Sequence, residues 1–102
     1  MEIKYYTSAI RIFIKSLDEK SIASILKLLS LLYRCGHEIK MPYSKSLGGG
    51  LFELRKLGKR QIRIIYCYYN NNVFILHVFE KKNNKINKAD LDIAKYRQST
   101  LA

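Results

Sequence analysis

Three β-rich runs in the second half of the chain constrain the fold most: LFELRKL from Leu51, QIRIIYCYY from Gln61 and VFILHVFEK from Val73. Each is dense in β-branched and aromatic side chains and short enough to be one strand. Gly58-Lys59-Arg60 and the polar run Asn70-Asn71-Asn72 separate them. Connections that short return each strand alongside the previous one, so the three predict an antiparallel meander.

The rest of the chain supplies the layers around it. EIKYY, residues 2–6, alternates and reads as a first strand. Thr7 or Ser8 caps a helix whose apolar residues Ile10, Phe13, Ile14 and Leu17 follow helical spacing. Asp18 caps a second helix, with Ile22, Ile25, Leu26, Leu29, Leu32 and Tyr33 along one stripe and Gly36 at its end. This helical hairpin has an apolar face that the sheet can cover. The breaker-rich stretch Pro42 to Gly50 reads as a loop, and a last amphipathic helix starts near Asn87, carrying Ala89, Leu91, Ile93, Ala94 and Leu101. The expected fold is α+β in the order β-α-α-β-β-β-α, with a twisted, mostly antiparallel sheet in one domain spanning residues 1–102.

Alternation assigns the strand faces. Phe52 and Leu54 share one side and Glu53 and Arg55 the other. Ile62, Ile64, Tyr66 and Tyr68 oppose Arg63, Ile65 and Cys67, while Phe74, Leu76 and Val78 oppose Ile75, His77, Phe79 and Lys81. The sets without charge are expected against the hairpin. The opposite face is expected to stay open, with Glu53, Arg55, Arg63, His77 and Lys81 arranged around Ile65 and Phe79.

Charge gives that face a meaning. Nineteen Lys and Arg against eight Asp and Glu make a formal net charge of +11 on 102 residues, which favours a polyanion or an acidic protein as partner. Arginine suits phosphate, because its planar fork donates bidentately and keeps its charge. Glu53 can hold one guanidinium in place, or it can form only a surface ion pair. Gly48-Gly49-Gly50 is not followed by a helix or by a Gly-Lys-Ser/Thr tail, so it is a strand entry and not a phosphate cradle. His77 lies on the candidate face and can serve as a general acid or base, since imidazole ordinarily titrates near 6.5. His37 follows a helix and reads as a solvated loop residue. Cys35 and Cys67 have neither metal-ligand nor disulfide-framework spacing. With no signal-peptide pattern and no apolar run able to span a bilayer, the expected location is the cytoplasm.

GGLFELR, RIIY and ILHVFEKKNNK with a closing helix resemble the RelE/ParE toxin superfamily, nearest its HigB-like, phage-derived type II branch. The correspondence is clearest from Leu47 through Lys95. The resemblance implies a ribosome-dependent mRNA endoribonuclease that needs no metal or other cofactor, with the RNA 2′-OH attacking the adjacent phosphorus. It also implies a cognate antitoxin, of the helix-turn-helix HigA-like kind, alongside ribosome and mRNA as partners. Carried over by position, Arg55 and Arg63 bind the scissile phosphate. Lys81 and Lys82 stabilise the transition state or serve the leaving oxygen. Glu53 orients an arginine or acts as a base, and His77 is a secondary candidate. Lys56, Lys59, Arg60 and Lys85 complete the RNA-binding set, and Tyr96 is the only aromatic candidate near the last helix.

Two other functions are open at this point. One is a ParE-like inhibition of DNA gyrase on the same fold. The other is a basic RNA-binding module without chemistry.

Overall fold

The computed structural model describes residues 1–82 and 87–101. Its elements are β1 (Ile3–Tyr5), α1 (Ser8–Lys15), α2 (Glu19–Cys35), a short 3-10 turn (Gly36–Glu38), β2 (Ser44–Gly48), β3 (Leu51–Lys56), β4 (Ile62–Tyr69), β5 (Asn72–Glu80) and α3 (Lys88–Ser99). One five-stranded sheet runs β1-β5-β4-β3-β2, with β1 parallel to β5 and every other neighbouring pair antiparallel. The α+β class and the antiparallel meander are as the sequence predicts, and the arrangement is consistent with a RelE-like fold.

The helix ends are set by local chemistry. Thr7 Oγ1 accepts from the Ala9 N–H, Asp18 Oδ2 from Ser21 and Asn87 Oδ1 from Ala89, each satisfying a first-turn donor. Gly36 ends α2 at φ 54°. Between β4 and β5, Asn70 and Asn71 both take positive φ, the backbone of a tight primed hairpin turn.

Asp18 also pairs with Arg60 at 3.2 Å. Ser21, through side chain and backbone, and then Arg60 hold the Asp18 carboxyl down from 3.8 to about 2. The charge of Asp18 therefore adds stability that is present above its ordinary value near 4 and is lost as pH falls through about 2. Thermal melting of the protein and of Asp18→Asn, which keeps a capping oxygen, should differ above about pH 4 and converge near pH 2.

Three expectations are corrected. First, Pro42 to Gly50 is not all loop, because Ser44–Gly48 forms the edge strand β2 against β3. SKSLG lacks apolar alternation because this edge strand is mostly exposed. The three glycines, all at positive φ, make the β2–β3 turn.

Second, the faces of β5 do not follow simple alternation. Ile65 pairs with His77 but Tyr66 pairs with Ile75, leaving Leu76 as an extra residue in a bulge. The bulge exchanges the faces of the N-terminal half of β5. Val73, Ile75 and Val78 all join the hairpin core with Ile10, Ile25, Leu32, Leu54, Ile64 and Tyr66. Phe74 and Leu76, expected there, lie on the opposite face.

Third, that opposite face is covered in part. Ala94, with Leu91 and Leu101 beside it, packs a second core onto Leu51, Ile65, Cys67 and Leu76. Arg97 donates to the carbonyl of the bulged Leu76 at 2.7 Å and stands over the Tyr6 ring at 5.2 Å. Gln98 donates to the Gly49 carbonyl at 2.9 Å, and Tyr6 and Thr100 share a hydroxyl bond at 2.9 Å. α3 is thus tied to the bulge, the glycine turn and the segment after β1.

Candidate functional site

Register places the site. β3, β4 and β5 set Glu53, Ile65 and His77 in one row and Arg55, Arg63 and Phe79 in the next. Alternation directs these side chains to the sheet face away from the hairpin. Neighbouring strands are about 4.8 Å apart, so each row is about 10 Å across.

Glu53 is the centre of the charged group. It is 4% exposed, and its Oε1 lies 3.7 Å from Arg63 Nε and 3.9 Å from Arg55 Nε. One carboxylate oxygen thus stands between two guanidiniums that face each other across β3 and β4. Both Nε atoms are sealed from solvent without a hydrogen bond of good geometry among the described residues. Their compensation is this shared ion pairing.

The two arginines differ sharply in surroundings. Arg63 is 1% exposed, which corrects the expectation that it projects from an open face. Its Nη1 donates to the carbonyls of Ile62 and Lys56 at 3.3 and 3.4 Å, and its Nη2 donates to Gln61 Oε1 at 2.9 Å. Burial pulls its guanidinium below the usual arginine range; Glu53 opposes this and Arg55 adds to it. Arg55 is only partly covered, with 22% of its side chain exposed. Beyond Glu53, its side chain touches Met41 Sδ at 3.6 Å. Of the pair, Arg55 is the fork that a ligand can reach.

His77 bonds through Nε2 to Asp90 Oδ1 of α3 at 2.7 Å and stacks on Phe79 with ring centres 5.6 Å apart. Asp90 was missed in the sequence. Its only sign is an acid in the first turn of the last helix, which reads equally well as dipole compensation. Met41, also missed, stands just before the stretch read as loop.

The remaining cations separate into groups. Lys81 is half-buried and Lys82 exposed, both just beyond the end of β5. Lys59 is exposed in the β3–β4 turn. Lys56 is buried, its ammonium donating to the carbonyls of Leu57 and Arg60, so it ties that turn and presents no free charge to the surface. Arg60 bridges Asp18 and Glu80, each at 3.2 Å. Tyr96 is exposed on α3, and Lys85 lies outside the described residues. Arg55, Arg63, Glu53 and His77 come together on one face, while Lys56 and Arg60 are engaged in holding the fold.

No described helix is long and apolar enough to cross a membrane. A comparison with curated proteins finds no match. Residues 12–99 match the family described as "Phage derived protein Gp49-like (DUF891)". That match runs from within α1 to the end of α3 and takes in β2 to β5 and the whole charged cluster, so the chain belongs to the Gp49-like family of phage-derived proteins.

Proposed function

We propose that the protein is the toxin of a type II toxin–antitoxin pair and cleaves ribosome-bound mRNA. Membership of a Gp49-like, phage-derived family is consistent with a toxin. The observation that carries the nuclease reading is the Glu53–Arg55–Arg63 cluster, a basic group fixed on a sheet with one accessible fork, on the same face as an aromatic and an imidazole ring two strands away.

In this reading the RNA 2′-OH attacks the adjacent phosphorus. His77 takes the 2′-OH proton as a bond forms from O2′ to phosphorus, and the bond from phosphorus to O5′ breaks as O5′ takes a proton from Lys81 or Lys82. The products are a 2′,3′-cyclic phosphate and a 5′-hydroxyl. Arg55 meets the charge that develops on the phosphate oxygens, a term that is often the largest in catalysis. Arg63 and Glu53 are positioning residues. Glu53 aims the Arg55 guanidinium, and its place between two arginines favours this role over that of a base. Lys81 and Lys82, just beyond the end of β5, are assigned to the departing O5′. Phe79 offers a ring for an unstacked base. The ribosome aligns the mRNA, which lowers the barrier further. The partners are a cognate antitoxin, of the HigA-like helix-turn-helix kind, and the translating ribosome in the cytoplasm.

His77 is the imidazole of the set, held through Nε2 by Asp90. His77→Gln should lower mRNA cleavage about 100-fold, and Asp90→Asn by less, because Asp90 only orients the ring. Single-turnover cleavage rates of the two variants, read beside their thermal melts, separate a loss of chemistry from a loss of folding.

Inducible expression followed by mapping of mRNA 5′ ends tests the function. New ends inside translated messages, absent when initiation is blocked, are the expected result. Growth arrest without new ends, accompanied by stalled replication, would move the protein to gyrase inhibition. RNA binding without cut messages would leave only the binding module.

A further inference from the structure

Besides Glu53, the accessible fork of Arg55 has a thioether as its neighbour. Its Nη1 lies 3.6 Å from Met41 Sδ, and Met41 is 58% exposed. The backbone holds this contact in place. Residues 40–44 make a turn in which the Tyr43 and Ser44 N–H groups donate to the Lys40 carbonyl at 3.0 and 3.2 Å. The Arg55 N–H in turn donates to the Tyr43 carbonyl at 2.8 Å, so the turn that carries Met41 is clamped to the residue its sulfur meets. Met1, the other methionine of the chain, stands beside His37 and Tyr68.

A thioether sulfur is a weak acceptor, so in this form Met41 leaves the Arg55 fork nearly free. The same sulfur is the atom that a peroxide oxidises. Hydrogen peroxide passes one oxygen to it: the O–O bond breaks, an S–O bond forms, sulfur loses two electrons and the peroxide is reduced to water. The new oxygen is a strong acceptor. About 1.5 Å from sulfur and turned toward Nη1, it lies about 2.6–2.8 Å from that nitrogen, within hydrogen-bond range with no movement of the turn. A bond from a guanidinium to such an oxygen is charge-assisted.

We propose that Met41 is an oxidation site, and that its sulfoxide accepts a hydrogen bond from the Arg55 guanidinium and so holds the fork away from phosphate. Arg63 is untouched by this change, since Glu53, Gln61 and two backbone carbonyls engage it. The modification lowers the reaction and spares the fold, and a methionine sulfoxide reductase with a thiol reductant reverses it. The site stands on the geometry around Met41; its consequence for cleavage rests on the function proposed above.

The test treats the full ¹⁵N-labelled chain with hydrogen peroxide, then with methionine sulfoxide reductase and dithiothreitol. Dithiothreitol alone, which reduces an oxidised Cys35 or Cys67 but not a sulfoxide, is the control. Peptide mass analysis should find one added oxygen on Met41. The Arg55 guanidinium signals, assigned by their loss in Arg55→Lys, should move while those of Arg63 stay, with the melting temperature unchanged. Cleavage by the oxidised parent should fall about fivefold to tenfold and return with the reductase but not with dithiothreitol alone. Met41→Leu should show the same Arg55 signals and the same rate before and after peroxide. Met41→Gln, whose amide oxygen imitates the sulfoxide, should show the moved Arg55 signals without peroxide. Unmoved Arg55 signals in protein oxidised at Met41, a Met41→Leu protein as peroxide-sensitive as the parent, or a Met41 left intact where free methionine is converted would each overturn the proposal. The Arg55 signals are read apart from cleavage, so a protein that cuts no mRNA can still pass this test, and one that cuts it can still fail.

Discussion

Glu53→Ala should destabilise the protein by about 3–5 kcal/mol, a large share of the about 5–15 kcal/mol that holds a domain of this size. The reason is the arrangement of charge. Removing the carboxylate leaves Arg63, 1% exposed, facing Arg55 across the strand pair with no counter-ion between them. Glu53→Gln should cost nearly as much, since it keeps the volume and removes the charge. Arg63→Ala should fall in the same range, because it strands Glu53 and vacates a buried site. Alternation alone places both arginines on an exposed face, where each substitution would cost only about 1 kcal/mol. Urea unfolding of the three variants distinguishes these outcomes. Midpoints within a few tenths molar of the parent would mean that the cluster adds nothing to the fold.

Arg55→Ala should do the opposite, lowering mRNA cleavage about 10³-fold while the stability change stays within about 1 kcal/mol. Its side chain is partly exposed and its contacts are long: 3.9 Å to Glu53 and 3.6 Å to Met41 sulfur. Arg55→Lys should restore part of the activity, because the ammonium keeps the charge and loses the bidentate fork. Cleavage assays beside thermal melts give both quantities. A folded Arg55→Ala protein that cuts mRNA as the parent does would remove Arg55 from the reaction.

Much of the architecture is legible because local rules and the fold agree. Thr7, Asp18 and Asn87 cap the three helices through their own side chains, and Asn70-Asn71 supplies the left-handed backbone of a tight turn. What was not legible is non-local. Nothing in VFILHVFEK marks Leu76 as the bulged residue; the extra position exists only in its pairing with β4, and one inserted residue exchanges the faces upstream of it. The covering of the second face depends on where α3 docks, which Arg97, Gln98 and Asp90 fix through contacts far away in sequence.

The charged face was legible in its placement more than in its surroundings. Glu53, Arg55, Arg63 and His77 share a face by parity, and the structure brings them together. Parity does not carry burial, so it could not separate the enclosed Arg63 from the reachable Arg55. Likewise a lysine or arginine in a turn looks like a nucleic-acid contact until its partners are known. Lys56 binds turn carbonyls, and Arg60 binds two carboxylates.

The most direct test of the central claim is the chemistry of the cut ends. Purified protein is added to ribosomes stalled on a defined mRNA, and the termini of the fragments are determined. Attack by the 2′-OH predicts a 2′,3′-cyclic phosphate on the upstream fragment, a 5′-hydroxyl on the downstream one, and no cut where a single 2′-deoxynucleotide replaces the attacking residue. Fragments ending in a 3′-hydroxyl and a 5′-phosphate, or cutting that persists at the deoxynucleotide, would contradict it.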